Sequence, residues 1–328
     1  MPAFPPVVFP SVVFPQGRAV PLRSGIELQV HEAGRGPAVV LCHGFPELAY
    51  SWRHQIGALA DAGYRAIVPD QRGYGESSRP AEVEAYGLGS LCQDLVELLD
   101  ALDVERAVFV GHDWGGFVAW AMPVLHPERT AGVIGVNTPY RPFPSTALLR
   151  RMVTSDEQLY ILWFQAPGVA ERLLDAHVSA VFERVMRRPS PSGAGRLGLE
   201  RNPLNPFRDI AELPVVGDAL LSPAELDVYV RAFTRSGFRG PVSWYRNIDA
   251  NRARHPGVGV DEIALPSLMV CADRDPALPP AIAADMPQRC SDLEMHTIAD
   301  CGHWTQQERP AELNALLIDW LRRRFPPA

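Results

Sequence analysis

Short, wholly apolar runs alternate with amphipathic stretches along the first part of the chain. Ala38–Cys42, residues 65–68 and residues 107–110 each predict a buried strand. Each is followed by a turn bearing Gly or Asp and then by helical spacing, an alternation that implies a parallel sheet covered on both faces. The pattern returns at residues 267–270 and 293–298. It closes in a helix from Pro310, whose Leu313, Leu316, Leu317, Trp320 and Leu321 share one face.

Between these regions, residues 141–259 are Pro-rich, Arg-rich and mostly helical in spacing. Ser222-Pro223-Ala224-Glu225 is a capping box that opens a helix carrying Leu226, Tyr229 and Phe233 and ending near Gly237. Residues 189–217 read as loop, and Arg184, Arg187 and Arg188 read as a solvated face. The expected organisation is α/β: a doubly wound, mostly parallel sheet from residues 18–140 and 260–328, with residues 141–259 inserted as a helical lid over its C-terminal edge. Residues 1–17 form an apolar, Pro-rich arm with an internal echo, Val7-Val8-Phe9-Pro10 and Val12-Val13-Phe14-Pro15. It reads either as a strap on the body or a partner copy, offering a homo-oligomer contact, or as a poorly ordered terminus. Its prolines and its lack of a basic start are unlike a signal peptide.

Composition narrows the chemistry. At 328 residues with 47% hydrophobic and 21% charged, there is ample material for a globular core. A net charge of -7 argues against a nucleic-acid surface, and no apolar run approaches the roughly 18 residues of a membrane span. The chain has no lysine, so Schiff-base catalysis and a P-loop lysine are excluded. Nine histidines show no metal-binding spacing, so neither a metal nor a cofactor is expected. Five scattered cysteines (Cys42, Cys92, Cys271, Cys290 and Cys301) read as buried free thiols in a reducing cytoplasm.

The sharpest motif is Gly111-His112-Asp113-Trp114-Gly115-Gly116, set between a buried strand and an apolar helical stretch. It has the form of a nucleophile elbow with aspartate where esterases carry serine. An aspartate here could also simply cap the helix. Partners in the order nucleophile, acid, histidine favour the elbow. Asp273 and Asp275 are two candidate acids after the strand at 267–270, and His303 sits on a Gly-containing loop after the strand at 293–298. His43-Gly44-Phe45-Pro46 follows an early strand, where the Phe45 and Trp114 N–H groups would converge as an oxyanion hole. Gly73-Tyr74-Gly75 is a structural turn, and Pro123 predicts a kink in the helix after the elbow.

His43-Gly44-Phe45-Pro46-Glu47, Asp70 to Ser77, Gly111 to Gly116 and Asp300 to Gln306 resemble the soluble epoxide hydrolases of the α/β-hydrolase superfamily. So do Phe164-Gln165-Ala166-Pro167-Gly168 and the run Ser236 to Pro241 with Trp244-Tyr245-Arg246-Asn247. The resemblance covers nearly the whole chain beyond Arg18, and it implies the α/β-hydrolase fold. It implies Asp113 as nucleophile, His303 as base, Asp275 rather than Asp273 as the orienting acid, and Tyr160 and Tyr245 as the lid phenols that hold and protonate the epoxide oxygen. The pocket would then be walled by Phe45, Trp114 and Trp304. A haloalkane dehalogenase is the nearest rival, but Phe45 offers no side-chain N–H for a halide. A catalytically silent binder would be expected to lack a triad member, and none is missing. The identity of the epoxide, and a detoxifying or biosynthetic role, are left open by the sequence.

Overall fold

The computed structural model of the protein describes residues 13–188 and 204–327. Ten strands are described: β1 (Arg18–Pro21), β2 (Glu27–Ala33), β3 (Ala38–Cys42), β4 (Arg65–Pro69), β5 (Ala107–His112), β6 (Thr130–Val136), β7 (Arg187–Arg188), β8 (Asp218–Ala219), β9 (Ser267–Ala272) and β10 (Leu293–Ile298). Eight of them form one sheet in the order β1-β2-β4-β3-β5-β6-β9-β10. The first two pairings, β1 with β2 and β2 with β4, are antiparallel, and the rest are parallel. β3, β5 and β9 are buried along their whole length, as strands covered on both faces must be. Side-chain alternation feeds two cores: Val39 and Leu41 join one cluster, Val40 and Cys42 the other.

The strands expected from the sequence are all present, and β1, β2 and β6 of the main sheet and the short separate pair of β7 and β8 are added to them. β6 holds Gly132 and Gly135, which thin its apolar pattern. A Cβ on Gly135 would lie 2.4 Å from the Trp120 indole nitrogen, so the small residue admits a neighbouring ring.

Helices α1 (Arg53–Asp61), α2 (Leu88–Ala101) and α3 (Trp114–Leu125) connect the first strands, and α11 (Thr305–Glu308) and α12 (Pro310–Arg324) follow β10. α12 buries Leu313, Leu317, Trp320 and Leu321, with Leu316 partly buried beside them. α3 is continuous through Pro123 and ends two residues later, so the proline falls in its last turn. The chain between β6 and β9 carries α4 (Thr146–Arg150), α5 (Tyr160–Trp163), α6 (Val169–Ala176), α7 (Val178–Val185), α8 (Pro223–Ser236), α9 (Arg239–Arg246) and α10 (Ile248–Arg254). α8 opens on the expected capping box, with both reciprocal bonds present, and ends at Gly237.

One expectation fails here. Arg184, Arg187 and Arg188 are not a solvated face: all three are partly buried and donate to backbone carbonyls, of Leu213, of Val216 and Gly217, and of Glu308 respectively. A guanidinium has five donors and no acceptor, so a partly buried one is satisfied by backbone carbonyls as well as by water or acids. The echo Val7-Val8-Phe9-Pro10 and most of the 189–217 loop lie outside the described residues. Phe14 does pack on the body, against His31 and Tyr50 with ring centroids 4.5 and 5.2 Å apart.

α8 is clasped to the sheet layer by a buried ion pair. Arg53 Nε donates to Glu225 at 2.6 Å and its Nη1 to Gln307 at 2.8 Å, with the Arg53 side chain 1% exposed. Removing one partner strands a buried charge. Arg53→Ala is therefore expected to cost about 3–5 kcal/mol of unfolding free energy, measured by urea denaturation. A loss near zero would show that the guanidinium is not desolvated.

Candidate active site

The C-terminal ends of five parallel strands deliver the site. β5 leads into Asp113, whose backbone sits at φ 50° and ψ -120°, a conformation that side chains rarely adopt. The turn is possible because its neighbours are glycines: a Cβ on Gly111 would lie 2.0 Å from Gly115 O, and one on Gly115 2.1 Å from Cys42 O. Asp113 occupies the N-cap position of α3, yet its side chain makes no capping bond. It turns into the cavity instead. That geometry rules out the simple cap as the role of its side chain.

One Asp113 oxygen, Oδ1, accepts the Phe45 N–H at 2.8 Å, and the neighbouring Trp114 N–H helps to lower the pKa of this carboxylate. The loop after β3 thus brings Phe45 to the elbow through the tight His43-Gly44 turn; a Cβ on Gly44 would lie 2.5 Å from Asp113 Cβ. The peptide bond between Phe45 and Pro46 is cis. Both expected oxyanion donors therefore converge on the same group.

His303 stands on the loop after β10. Its Nε2 is 3.8 Å from Asp113 Oδ2, and its Nδ1 is 2.9 Å from Asp275 Oδ2. Asp275 is 3% exposed and also accepts the N–H groups of Ala277 and Leu278 and the amide of Asn137. Asp273, the other candidate, is exposed and accepts the Cys301 N–H. Burial alone would lower the His303 pKa, but Asp275, its hydrogen bond and then Asp113 outweigh this and push it up to about 9. For Asp275 burial works upward, and His303 with the three N–H donors overrides it, holding the carboxyl well below the usual range. Asp113 is raised, chiefly by burial, against the pull of His303 and the two backbone N–H groups.

These groups open onto a cavity of about 230 Å³ lined by Asp113, His303, Phe45, Trp304, Tyr160 and Tyr245 among others. The two tyrosines come from α5 and α9, with ring centroids 5.6 Å apart. Burial raises both phenols well above their ordinary pKa, with the Asp113 charge adding to it, so both stay protonated. The Trp114 ring departs from expectation. It is not in the cavity lining but packs behind it, 4.9 Å from Tyr245 and 5.2 Å from Phe143 by centroids.

The sequence reading missed a buried polar frame behind these groups. Glu47 Oε2 accepts the Gly44 N–H at 2.9 Å and lies 2.7 Å from His112 Nδ1, whose other nitrogen is 2.7 Å from His303 O. Gln306 donates to Glu47 Oε1, and Thr305 to Asn137. Glu308 accepts the N–H groups of Gly302 and Trp304, one on each side of His303. The oxyanion loop and the histidine loop are thus tied to one another through groups with no exposure. The signal for it in the sequence is a polar residue inside each motif, Glu47 beside Pro46 and His112 beside Asp113.

A nucleophile elbow on a mostly parallel sheet, with acid and histidine on later loops, defines a hydrolase of the α/β class. Residues 37–310 match the alpha/beta hydrolase fold family. The chain is 43% identical to Epoxide hydrolase A of Mycobacterium tuberculosis over 307 residues, covering 91% of this chain and 95% of that protein. It is 40% identical to Bifunctional epoxide hydrolase 2 of Sus scrofa across 98% of its own length, but spans only 57% of that longer protein. The crystal structure of Epoxide Hydrolase A from Mycobacterium thermoresistibile superposes with a TM-score of 0.84 at 41% identity, over 94% of this chain and 98% of that one. The chain belongs to the alpha/beta hydrolase fold family, and within it to the epoxide hydrolases.

Proposed function

We propose that the protein converts an epoxide and water into a vicinal diol through an ester on Asp113. The observation that carries this reading is the meeting of a carboxylate nucleophile, a histidine and two protonated phenols in one apolar cavity. In this reading residues 141–259 act as a lid on the core formed by 18–140 and 260–328, and supply both phenols.

An Asp113 oxygen attacks one epoxide carbon, and the electrons of the breaking C–O bond pass to the ring oxygen. Tyr160 and Tyr245 hydrogen-bond that oxygen beforehand, and one of them gives it a proton. An alkoxide left unprotonated would be far too basic to persist in an apolar cavity. Esterification removes the Asp113 charge, one of the charges that hold a proton on His303. His303 then gives its proton back to the tyrosinate and becomes a neutral base.

Water loses a proton to His303 Nε2 as its oxygen bonds to the Asp113 carbonyl carbon. The resulting oxyanion lies where the Phe45 and Trp114 N–H groups point, in a site prepared in advance. Collapse expels the diol oxygen, which takes the proton from His303, and the new carboxylic acid of Asp113 returns its own proton to the ring. The cycle closes with every proton accounted for. No cofactor enters any step.

A single turnover with enzyme in excess, in heavy-oxygen water, tests the scheme by mass spectrometry. The label is expected in the Asp113 carboxyl and not in the diol. A diol labelled in that first turnover would mean direct attack of water and would sink the ester. A dehalogenase reading has less support, because Phe45 has no side-chain donor for a departing halide and the cavity phenols would be idle. Among the described residues no helix is long and apolar enough to cross a membrane. Five free, buried cysteines support a reducing, cytoplasmic location.

A further inference from the structure

His303 is held by more than its ring. Glu308, on α11, is 3% exposed; its Oε2 accepts the Gly302 N–H at 2.9 Å and its Oε1 the Trp304 N–H at 3.0 Å. The carbonyl between these two amides, His303 O, lies 2.7 Å from His112 Nε2. Buried side chains therefore fix the backbone on both sides of His303, and with it the direction in which the imidazole leaves the chain. Two N–H groups facing one side chain need two acceptors, which an ionised carboxylate supplies. Glutamine would set its NH2 against one of them. A buried carboxylate is costly to keep. Burial pushes the Glu308 carboxyl up, against the two amides, Arg188 on β7 and His303.

We infer that Glu308 is a positioning residue for His303, aiming the imidazole through the two amides that flank it. The inference rests on the reaction proposed above, in which His303 is the base for ester breakdown. That base must meet a water beside Asp113 while Nδ1 keeps its 2.9 Å contact with Asp275. A misplacement of about 1 Å in such an arrangement costs on the order of a hundredfold in rate.

The Glu308 charge has a second effect. Asp275 after β9, Asp113 after β5 and Glu47 after β3 all hold the proton on His303, and the His112 ring stands 4.8 Å away by centroids. Glu308 acts in the same sense as the three acids, because the attraction by which His303 lowers it is shared equally by both groups. Removing that charge frees the base at lower pH.

Two variants separate reach from charge. Glu308→Gln keeps the length but loses the charge and one acceptor; Glu308→Asp keeps the charge but falls a methylene short. Single turnovers of styrene oxide and 1,2-epoxyhexane, read by rapid quench and mass spectrometry, resolve the two half-reactions. Ester formation does not use the base and should stay within about twofold of the parent in each variant. Ester breakdown should fall about 10–100-fold in each. The pH limb of breakdown should move down by about 0.5–1 unit in Glu308→Gln and stay in place in Glu308→Asp. The His303 ring, titrated by NMR in the free proteins, should move the same way with no turnover at all.

Three results would overturn the inference: both half-reactions slowed in parallel, breakdown at the parent rate in both variants, or an unmoved His303 titration in Glu308→Gln. Should Glu308→Gln not fold, the split between half-reactions in Glu308→Asp decides alone. A parent chain that formed no ester with either epoxide would instead strike the reaction proposed above, and the NMR titration would then decide the tie between Glu308 and His303.

Discussion

His303→Gln is expected to stop the reaction halfway. Glutamine cannot take a proton from water, but Asp113, the phenols and both oxyanion donors are untouched, so the epoxide should still be opened. Mass spectrometry of the quenched variant should find a chain heavier by one substrate molecule, and steady-state turnover should fall by about 10²–10⁴-fold. The pH dependence gives a second readout with a definite sign. In the free enzyme His303 is held protonated up to about 9 by Asp275 and Asp113. In the ester the Asp113 charge is gone, so ester breakdown in the parent protein should rise with pH through a pKa below 9. In His303→Gln that limb should be absent. An unaltered steady-state rate would remove His303 from the scheme.

The paired phenols carry the other large effect. Tyr160→Phe and Tyr245→Phe should each slow the first half-reaction, and the double variant should lose about 10²–10⁴-fold in the rate of alkylation, read by rapid quench. Removing a hydroxyl while keeping the ring leaves the aromatic box of Phe45, Phe164 and Phe207 packed, so the melting temperature should scarcely move. Because burial raises both phenols, the parent rate should show no loss up to pH 9 from their ionisation. A double variant that opened epoxides at the parent rate, or that consumed haloalkanes, would return weight to a dehalogenase.

Much of this was legible in the residues. β3, β5 and β9 declare themselves because a strand buried on both faces is apolar throughout. The elbow is legible because a strained turn between two close backbones tolerates only glycine at fixed positions. Asp275 and Asp273 could not be separated by spacing, because two residues apart on a turn decides which faces inward, and the groups that hold Asp275 there, such as Asn137 just after β6, lie far off in the chain. The frame of Glu47, His112, Gln306 and Glu308 stayed hidden for a similar reason. A polar residue looks like surface until its partners, up to 259 positions away for Glu47 and Gln306, are known. The same rule misled over Arg184, Arg187 and Arg188, whose charge suggested water and whose partners are carbonyls. The resemblance implies the Trp114 ring in the cavity wall, but the ring leaves in another direction, toward Phe143 and Tyr245.

The five cysteines are all free and all buried, at Cys42, Cys92 and Cys301 with no exposed surface at all. A thiol-specific dye should therefore find nothing to label in the native protein. One cysteine engineered on an exposed face of α8 would be the sole reactive handle, free of background from the rest of the chain. A fluorophore there would report whether α8 swings away from Arg53 as substrate enters. In the unlabelled protein, the slow uptake of dye by the native thiols would itself time the opening of the sheet.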